Sequence, residues 1–593
     1  MDLIRSFLLC LKQIWPRTNG KATTTTDVFR RISSSPTMMR DTKLRLYEAM
    51  LSSINGQDFV PLDQLNEIFT EEEVRSILHS VGLNGQSSSG LLRYIMDHAK
   101  KMFATVVFMD QPLLIQDLAF ANLTDAHLPV GQDLWGEDGE SGDSYEVGAI
   151  RSYHSMSDKL NRESNLAVFR SWPPRTRYEF CDRQWLFLAP VFSENNYKTY
   201  VHRKCPLPFL PPPEDPHEIK SSHHSKVYKV SVHPAHLKLS RGDQPNIAIK
   251  ELYPDTNDEY DAEAKTLAKL NHLSHPHLIK CIATFQHDRK HCFMFLWAGG
   301  GNLRQFWAGE NDLPRNLDLV LWVLQQMRGL ASGLVSLHNF SNRENCRHGD
   351  LKPENILRFM DEHPFGRLVV TDLGSATFHD TGTAQRHVGT GAGYGTRRYE
   401  PPEAALSKRK PRSRRHDVWS IGCIFLEFLI WLLYKQSELA RFIDGVDTYW
   451  VTSYGGSPEV HPEVRGWIRR MLRDSRCQDR GALGDLLRAV KDRMLVPKHD
   501  NANDDTGSAN SHASQTSSVD APVFSTGSEN EICRADSIEL DEILSQIVHE
   551  AECDPLYAFP QPNWEFSPVG TPSTSLLIPR RLNEGLEYSI TLQ

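Results

Sequence analysis

The stretch that decides the fold runs His348-Gly349-Asp350-Leu351-Lys352-Pro353-Glu354-Asn355. A short apolar strand pattern follows it, and a second one ends in Thr371-Asp372-Leu373-Gly374. Phosphoryl transfer needs a carboxylate that orients the attacking hydroxyl and accepts its proton, together with oxygen ligands for magnesium on the phosphates. Asp350 suits the first role. Asn355 and Asp372 suit the second, because side chains at the ends of strands and loops can converge.

This pattern resembles the catalytic loop and the D-F-G element of the eukaryotic protein kinases, with two departures. Gly349 stands where the family usually has Arg, and Leu373 stands where it usually has Phe. In the family that Arg holds a phosphorylated activation segment, so the resemblance implies an enzyme that does not depend on this switch. By the same resemblance, Lys352 marks the serine/threonine class and would contact the γ-phosphate of ATP.

The segment upstream of this loop predicts a strand and then a helix. Residues 246–252 alternate as in a strand, which places Ala248 and Lys250 on one face. Glu263 follows on the apolar face of a helical pattern, so its carboxylate is expected to point inward, where it needs a partner. The family's Lys–Glu ion pair is such a partnership, and Lys250 and Glu263 are the matching positions, with Lys250 over the nucleotide phosphates.

Residues 293–303 predict a strand that runs into a glycine-rich segment. This segment resembles the hinge through which the family binds adenine with backbone groups. Phe295 would be the gatekeeper. The resemblance implies that the nucleotide site is completed by Val227, Ala248, Trp297 and Ala298, beside Lys250, Asn355 and Asp372.

The loop that covers the phosphates is the weakest match. With Val227 aligned to the family's valine, Lys220, Ser222 and Ser225 stand where the family has glycines. Glycine there lets the backbone approach phosphate closely, so its absence is expected to weaken nucleotide binding or to change the loop path. This leaves open a pseudokinase that scaffolds partners through the kinase fold.

Two segments further along the chain bear on the class of substrate. Residues 395–403 resemble the end of an activation segment, and residues 417–422 resemble the start of the family's central buried helix. Asp417 would accept hydrogen bonds from the catalytic-loop backbone, and Glu403 would pair with a late arginine, for which we select Arg480. Because the resemblance places both segments in kinases of protein substrates, they count against a small-molecule phosphotransferase.

Composition limits the remaining classes. The formal charge of −9 over 593 residues gives no overall bias toward nucleic acid or an anionic membrane. The ten cysteines show no metal-type spacing, which favours a reducing, intracellular location, cytoplasm or nucleus. Residues 418–433 are apolar but shorter than the roughly 20 residues of a membrane span, so we expect a buried helix and no transmembrane segment.

The predicted fold class is α+β, a bilobal protein kinase-like fold with a small β-rich lobe and a larger helical lobe. The predicted organisation is a flexible segment (1–41), a mainly helical region of unknown function (42–205), a Pro-rich linker (206–217), the kinase domain (218–495), a disordered linker (496–536) and a tail (537–593). The tail begins with an amphipathic helical pattern at 537–552.

The resemblance implies ATP and Mg²⁺ as cofactors and proteins as substrates. Further partners could dock on residues 42–205 or on residues 537–552, and the second segment could instead dock on the chain itself. A narrower resemblance is to kinases of filamentous fungi that carry a long N-terminal extension. The sequence thus predicts a serine/threonine protein kinase, with a scaffolding pseudokinase as the alternative.

Overall fold

The computed structural model describes residues 37–131, 151–152, 167–194, 196–211, 219–221, 225–240, 245–253, 257–271, 273–288, 290–310, 312–340, 344–360, 363–373, 377–380, 397–406, 413–477, 480–497 and 533–560. Ser222 of the glycine-less loop, most of the predicted linker at 496–536 and residues 561–593 lie outside the described residues.

The N-terminal unit, residues 37–211, is mainly helical up to residue 183. Its helices are α1 (Thr37–Glu48), α2 (Leu62–Ile68), α3 (Glu71–Ser80), α4 (Gln86–His98), α5 (Lys100–Phe108), α6 (Ile115–Phe120) and α7 (Pro174–Arg183). Short strands accompany them: β1 (Leu51–Ser52), β2 (Asp58–Phe59), β3 (Val130–Gly131), β4 (Arg151–Ser152) and β5 (Phe192–Ser193). Every residue of α5 from Met102 to Phe108 is buried, so the other helices pack around α5 as the centre of an apolar core.

A curled sheet forms the small lobe and takes in two strands of the N-terminal unit. The strands are β6 (Asn196–Val201), β7 (Phe209–Leu210), β8 (Ile219–Ser221), β9 (Ser225–Val232), β11 (Ile247–Leu252), β12 (Cys281–His287) and β13 (Lys290–Leu296). Their order is β6-β12-β13-β11-β9-β7, with β8 also paired to β9. Only β6 and β12 pair in parallel among these strands; the other pairs are antiparallel.

The small lobe also contains one long helix and one further short strand. Helix α8 (Asn257–Leu270) follows β11, and β10 (Leu237–Lys238) pairs in parallel with β5. β7 lies inside the predicted Pro-rich linker, where Phe209 pairs with Val232 at the edge of β9. The proline-rich run therefore contributes to the sheet as well as connecting two regions.

The large lobe is mostly helical. Its helices are α9 (Leu303–Gly309), α10 (Leu317–His338), α11 (Pro402–Leu406), α12 (Arg415–Gly445), α13 (Pro462–Met471) and α14 (Ala482–Ala489). Its strands form three antiparallel pairs: β14 (Glu344–Arg347) with β17 (Thr377–Asp380), β15 (Ile356–Phe359) with β16 (Arg367–Val370), and β18 (Trp450–Thr452) with β19 (Pro458–Val460). Helix α12 is broken at Lys435, where φ is 66°.

The first part of α12 is the buried helix that the sequence predicts. By length and composition it could cross a membrane, but its apolar window is 100% buried inside the protein. This is the position of a core helix, and we therefore assign no transmembrane segment to it.

The C-terminal helix α15 (Ser537–Cys553) packs on this chain. Its apolar face, Leu540, Leu544, Ile547, Val548 and Ala551, is buried in the same core as α10 and α12. Polar contacts add to this packing, since Gln325 on α10 donates a hydrogen bond to Glu552 at 2.8 Å. A capping box at Asp536 starts the helix, and a short helix α16 (Pro555–Ala558) follows it. Of the two alternatives for this segment, the structure therefore shows docking on the chain itself.

Candidate active site

Lys250 occupies the centre of a three-residue ion pair. Its Nζ lies 2.7 Å from Glu263 Oε1 and 3.2 Å from Asp372 Oδ1. The strand–helix pattern predicts the first contact, because β11 directs Lys250 toward the face that α8 covers. Glu263 is 7% exposed and Asp372 46%, so one carboxylate is buried and the other faces the opening.

The charges of this group shift one another's pKa values. Burial acts to lower the pKa of Lys250, but the negative charges of Glu263 and Asp372 outweigh it and raise the pKa above its ordinary value. The positive charge of Lys250, in turn, holds the pKa of Asp372 below its usual value. The ammonium and the carboxylate therefore both stay charged at neutral pH.

The catalytic-loop segment brings two of the predicted residues, Lys352 and Asn355, to the carboxylate of a third, Asp350. Lys352 Nζ lies 2.8 Å from Asp350 Oδ2. Asn355 Nδ2 donates to the backbone oxygen of Asp350 at 2.8 Å and to its Oδ2 at 3.3 Å. The amide nitrogen of Asn355 is thus turned toward Asp350, which leaves its amide oxygen as the possible metal ligand. Asn355 directly precedes β15 and Asp372 follows the end of β16, and Thr371 N donates to Asn355 O at 2.9 Å.

Asp417 accepts hydrogen bonds from the backbone of the catalytic loop, as predicted. Its Oδ2 accepts a hydrogen bond from His348 N at 2.8 Å, and its Oδ1 accepts one from Gly349 N at 2.9 Å. His338 Nε2 donates to the same carboxylate at 2.9 Å. Burial raises the pKa of Asp417, but the hydrogen bond from His338 and the nearby ring of His416, with 3.7 Å between Nδ1 and Oδ1, outweigh it, so its pKa lies well below the usual value. The prediction for Asp417 is confirmed.

The local backbone and packing are compatible with both departures from the kinase pattern, Gly349 and Leu373. Gly349 has a φ of 85°, a conformation that glycine adopts without the steric cost of a Cβ atom. Leu373 is buried in the same core as Leu267 of α8, so the apolar character of the usual Phe is kept. Asp372 has a φ of 60°, which is uncommon for a residue other than glycine and is often found at functional sites.

The hinge connects the lobes through backbone contacts. Trp297 N donates to Asn246 O at 2.9 Å, and Gly300 N donates to Arg358 O at 3.0 Å. A Cβ atom on Gly300 would lie 2.8 Å from Arg358 O, so only glycine fits this close approach. Ala298 is buried, and its carbonyl accepts a hydrogen bond from Gly301 N at 3.1 Å. The hinge is therefore fixed to β15 of the large lobe.

The predicted nucleotide-lining residues meet through strand register. Val227 on β9 is opposite Lys250, and Phe295 on β13 is opposite Ala248. Lys220 on β8 is opposite Val227, so β9 lies between β8 and the Lys250 strand and connects the glycine-less loop to it. The sheet therefore brings together Val227, Ala248, Lys250 and Phe295, while the tip of the loop lies outside the described residues.

Two ion-pair groups hold the end of the activation segment. Glu427 on α12 is fully buried; it accepts hydrogen bonds from Tyr399 and Tyr449 and forms ion pairs with Arg304 at 3.0 Å and Arg398 at 3.2 Å. A charged side chain buried in an otherwise apolar helix needs partners of opposite charge or hydrogen-bond donors. Glu427 is such a residue, and its charge within the apolar run is visible in the sequence. No role was predicted for Glu427 from the sequence, although its charge is the signal that could have found it.

Glu403 pairs with Arg534, so the prediction of Arg480 is wrong. Arg534 Nη1 lies 2.6 Å from Glu403 Oε1, and Nη2 donates to Oε2 at 3.2 Å. The guanidinium also lies over the ring of Trp419, with 4.9 Å between Cζ and the centroid. Arg534 was missed because it follows the polar stretch 498–532, beyond the end that the sequence assigned to the kinase domain.

Comparison with known proteins identifies the class. Residues 235–481 match the family model of the protein kinase domain. Cyclin-dependent kinase-like 4 of Mus musculus is 29% identical over 186 residues, 31% of this chain and 48% of that protein. Serine/threonine-protein kinase ULK3 of Xenopus laevis is 29% identical over 205 residues, 34% of this chain and 40% of that protein. Serine/threonine-protein kinase PKH3 of Eremothecium gossypii is 29% identical over 236 residues, 38% of this chain and 29% of that protein.

The chain therefore contains a protein kinase domain, with the bilobal α+β fold that the sequence predicts. The match begins after β9 and ends before α14, so Val227, Arg534 and α15 lie outside it. The chain spans less than half the length of each of these three relatives. PKH3 of Eremothecium gossypii is a fungal protein. The narrower resemblance to kinases of filamentous fungi remains a prediction.

Protein kinase domains in general use ATP and a divalent metal, and the residues of this site fit both. In the described part of the chain, no group of three or more His, Cys, Asp or Glu side chains could hold a metal alone. Asp372 and Asn355 offer one carboxylate and one amide oxygen. This donor set suits Mg²⁺, which is usually bound by one or two carboxylates together with substrate phosphates and water.

Proposed function

We propose that this chain is an ATP-dependent serine/threonine protein kinase. The observation that carries the proposal is the convergence of two groups, Lys250 with Glu263 and Asp372, and Asp350 with Lys352 and Asn355. The hydrogen bond from Thr371 N to Asn355 O joins the two groups. The same convergence supports the roles that the sequence assigns to these six residues. Phosphoryl transfer needs mainly such positioned charges, since there is little covalent chemistry for the protein to perform.

Each side chain has a defined task in this proposal. Lys250, held by Glu263, binds phosphate oxygens of ATP. Asp350 orients the substrate hydroxyl and accepts its proton, while Lys352 neutralises charge on the transferred group and holds the Asp350 carboxylate. Asp372 and Asn355 would hold Mg²⁺, which supplies positive charge next to the phosphates when bound. Phe295, Trp297, Ala298, Ala248 and Val227 would enclose adenine.

The serine/threonine class is supported by Lys352 at its position two residues after Asp350, a residue that would lie beside the γ-phosphate. An intracellular location, cytoplasm or nucleus, is likewise a proposal. It is supported by the thiols, because the buried side chains of Cys205, Cys281 and Cys292 remain unpaired. Buried unpaired thiols are typical of proteins of reducing compartments.

The test compares the full chain with Asp350→Asn in transfer of labelled phosphate from ATP to a generic protein acceptor. A general base contributes about 10²–10⁴-fold to rate, so we expect a loss of that size in kcat. Glu354→Gln is the matched control, because this exposed carboxylate lies on the same loop and pairs with Arg304 rather than with Asp350. Phosphoamino-acid analysis of the product should show phosphoserine or phosphothreonine.

The pseudokinase alternative is motivated by Lys220, Ser222 and Ser225 in place of glycines. Equal and negligible incorporation by the wild-type chain and Asp350→Asn would favour this alternative. Thermal shift with ATP and Mg²⁺ then separates two cases. A stabilised chain that does not transfer phosphate is a nucleotide-binding scaffold, whereas no stabilisation means that the loop prevents binding.

A further inference from the structure

Helix α13 has two arginines beside a glycine on its outer side, and it packs on the large lobe through its buried residues, Val464, Trp467, Ile468 and Met471. Arg469 and Arg470 follow Gly466 by three and four residues, and residues at these spacings are neighbours on a helix surface. Arg469 Nε donates to Arg465 O at 3.3 Å. The guanidinium of Arg470 lies over the ring of Trp467, with 5.1 Å between Cζ and the centroid. The two side chains therefore reach the residues directly before and after Gly466.

Gly466 leaves a recess between these side chains. The glycine is exposed, and apart from its chain neighbours and the helix backbone no described atom lies within 4 Å of the position that a Cβ atom would take. Glycine inside a helix lowers its stability relative to alanine, and here no close packing among the described residues requires it. Glycine is also the residue that allows a ligand or another backbone to approach closely. The recess therefore indicates a contact with another molecule.

The positive charge beside this recess has no carboxylate partner in the described part of the chain. Neither Arg469 nor Arg470 forms an ion pair there, whereas Arg465 pairs with Glu459 at 3.1 Å. Cations in the last turn of a helix offset its dipole, which accounts for positive charge at this end of α13 but not for the glycine. The recess and the two charges together suit an anionic partner.

An exposed tyrosine adds to this surface. Tyr454 lies in the turn between β18 and β19, the strand pair that directly precedes α13, and it is the most exposed large hydrophobic side chain among the described residues. The ion pair of Glu459 on β19 with Arg465 connects the strand pair to the helix. Tyrosine and arginine are both enriched at protein–protein interfaces. We call Tyr454, Gly466, Arg469 and Arg470 the α13 surface.

We propose that the α13 surface docks an acidic segment of a partner protein. Carboxylates of that segment pair with Arg469 and Arg470, and an apolar side chain between them fills the recess at Gly466, which the aliphatic stems of the arginines border. Nucleic acid fits less well, because Glu459 and Glu463 lie at the N-terminal end of α13 and would repel a continuous phosphate backbone. The surface contains none of the residues of the candidate active site, and binding is measured without ATP. Failure of this proposal is therefore distinguishable from failure of the proposed function.

The experiment follows the fluorescence anisotropy of labelled peptides that are titrated with the full chain. The probe has the sequence Glu-Glu-Leu-Glu-Glu, and its control has glutamine in place of every glutamate. We expect saturable binding of the acidic peptide and an affinity about tenfold lower for the glutamine peptide, because the charge-assisted contacts are lost. The affinity of the acidic peptide should also fall with added salt, since exposed charges are screened.

Three variants identify the surface. Arg469→Gln should weaken binding of the acidic peptide about tenfold. Gly466→Leu fills the recess and should also weaken binding, while the urea midpoint of the chain rises because leucine favours a helix more than glycine does. A loss of binding together with a gain in stability cannot come from damage to the fold. Arg75→Gln, at an exposed arginine of α3 in the N-terminal unit, is the control and should leave the affinity unchanged.

Three results would overturn the proposal. Equal affinities for the acidic and the glutamine peptide would show that the surface does not select negative charge. Unchanged affinities in Arg469→Gln and Gly466→Leu would show that the acidic peptide binds elsewhere. Tighter binding of a labelled oligo-uridylate than of the acidic peptide, lost in Arg469→Gln, would assign the surface to nucleic acid.

Discussion

The small lobe has two faces that are built in different ways, and the strand β11 belongs to both. On one face Lys250 meets charged groups of α8 and the large lobe. On the other face Ile247 and Ile249 join an apolar core with Phe192 and Phe209 of the N-terminal unit. A few charged atoms at fixed distances define the first face, whereas burial and strand pairing define the second.

This difference indicates that the N-terminal unit is part of the small lobe's structure. β6 extends one edge of the sheet, β7 pairs at the other, and Phe192 lies 5.1 Å from Phe285 of β12, centroid to centroid. Ile54 N donates to Phe209 O at 2.9 Å, which connects the helical core to the same sheet. We expect the chemistry to depend on one face and the stability of the lobe on both.

The sharpest test of the first face is Lys250→Met. Removing a preorganised electrostatic group typically costs about 10²–10³ in kcat, and we expect a loss of that size in phosphate transfer. Glu263 would remain buried without this partner, so the free energy of unfolding should also fall by about 3–5 kcal/mol. Urea denaturation measures the second effect.

Two further variants make that result specific. Lys250→Met combined with Glu263→Gln should recover much of the lost stability but none of the activity. Lys238→Met, an exposed lysine of the same lobe, should leave both quantities unchanged. If Lys250→Met kept full activity, the charged face would not be the active site.

The matching test of the second face is Phe192→Ala. Large-to-small changes at fully buried aromatic positions cost about 3–5 kcal/mol, and Phe192 contacts both Phe209 and Phe285. We expect the urea midpoint to fall accordingly. Phe120→Ala is the control in the same unit, because Phe120 is 93% exposed and should contribute almost nothing. Equal stability of the two variants would mean that the N-terminal unit does not support the small lobe.

A third test uses the junction of the two regions, where His236 of the small lobe bridges two segments of the N-terminal unit. Its Nε2 accepts from Leu62 N at 3.0 Å, and its Nδ1 bonds to Pro190 O at 3.0 Å. Burial lowers the pKa of His236 from 6.5 to about 4. Between pH 6.5 and pH 4, His236 is therefore protonated in the unfolded chain but neutral in the folded chain. Its contribution to the free energy of unfolding is complete above pH 6.5 and is lost as the pH falls toward 4.

The expected loss for this one group is about 3 kcal/mol. Urea unfolding between pH 7.5 and 4.5 measures it. His236→Gln should reduce the slope with pH, whereas His98→Asn, at an exposed histidine of α4, should not. An identical slope in wild type and His236→Gln would show that His236 does not carry this pH dependence.

The sequence could predict the charged face because its residues lie in short segments with fixed spacing. Asp350, Lys352 and Asn355 lie within six residues, and the alternation of β11 is enough to direct Lys250 toward α8. Asp417 could be predicted for the same reason, since a helix start fixes its position relative to the loop it holds.

The apolar face could not be predicted in this way. The parallel pairing of β6 with β12 joins residues about 85 positions apart, and no local pattern specifies which edge a strand will cover. Arg534 is a similar case, because the polar stretch before it separates it from every kinase motif. Long-range packing of this kind becomes visible only when the segments are placed in space.

The smallest expected effect concerns Gly349, where the sequence departs from the family on the charged face. With a φ of 85°, this position should disfavour any side chain, and Gly349→Ala should destabilise the chain by about 1–2 kcal/mol. Gly466→Ala is the opposite case: this glycine lies inside α13 with a φ outside the left-handed region and no atom within 4 Å of an added Cβ. This substitution should raise the free energy of unfolding of the chain by about 1 kcal/mol. Urea unfolding measures both free energies. If the two substitutions changed the free energy of unfolding in the same direction, the left-handed backbone at Gly349 would be contradicted.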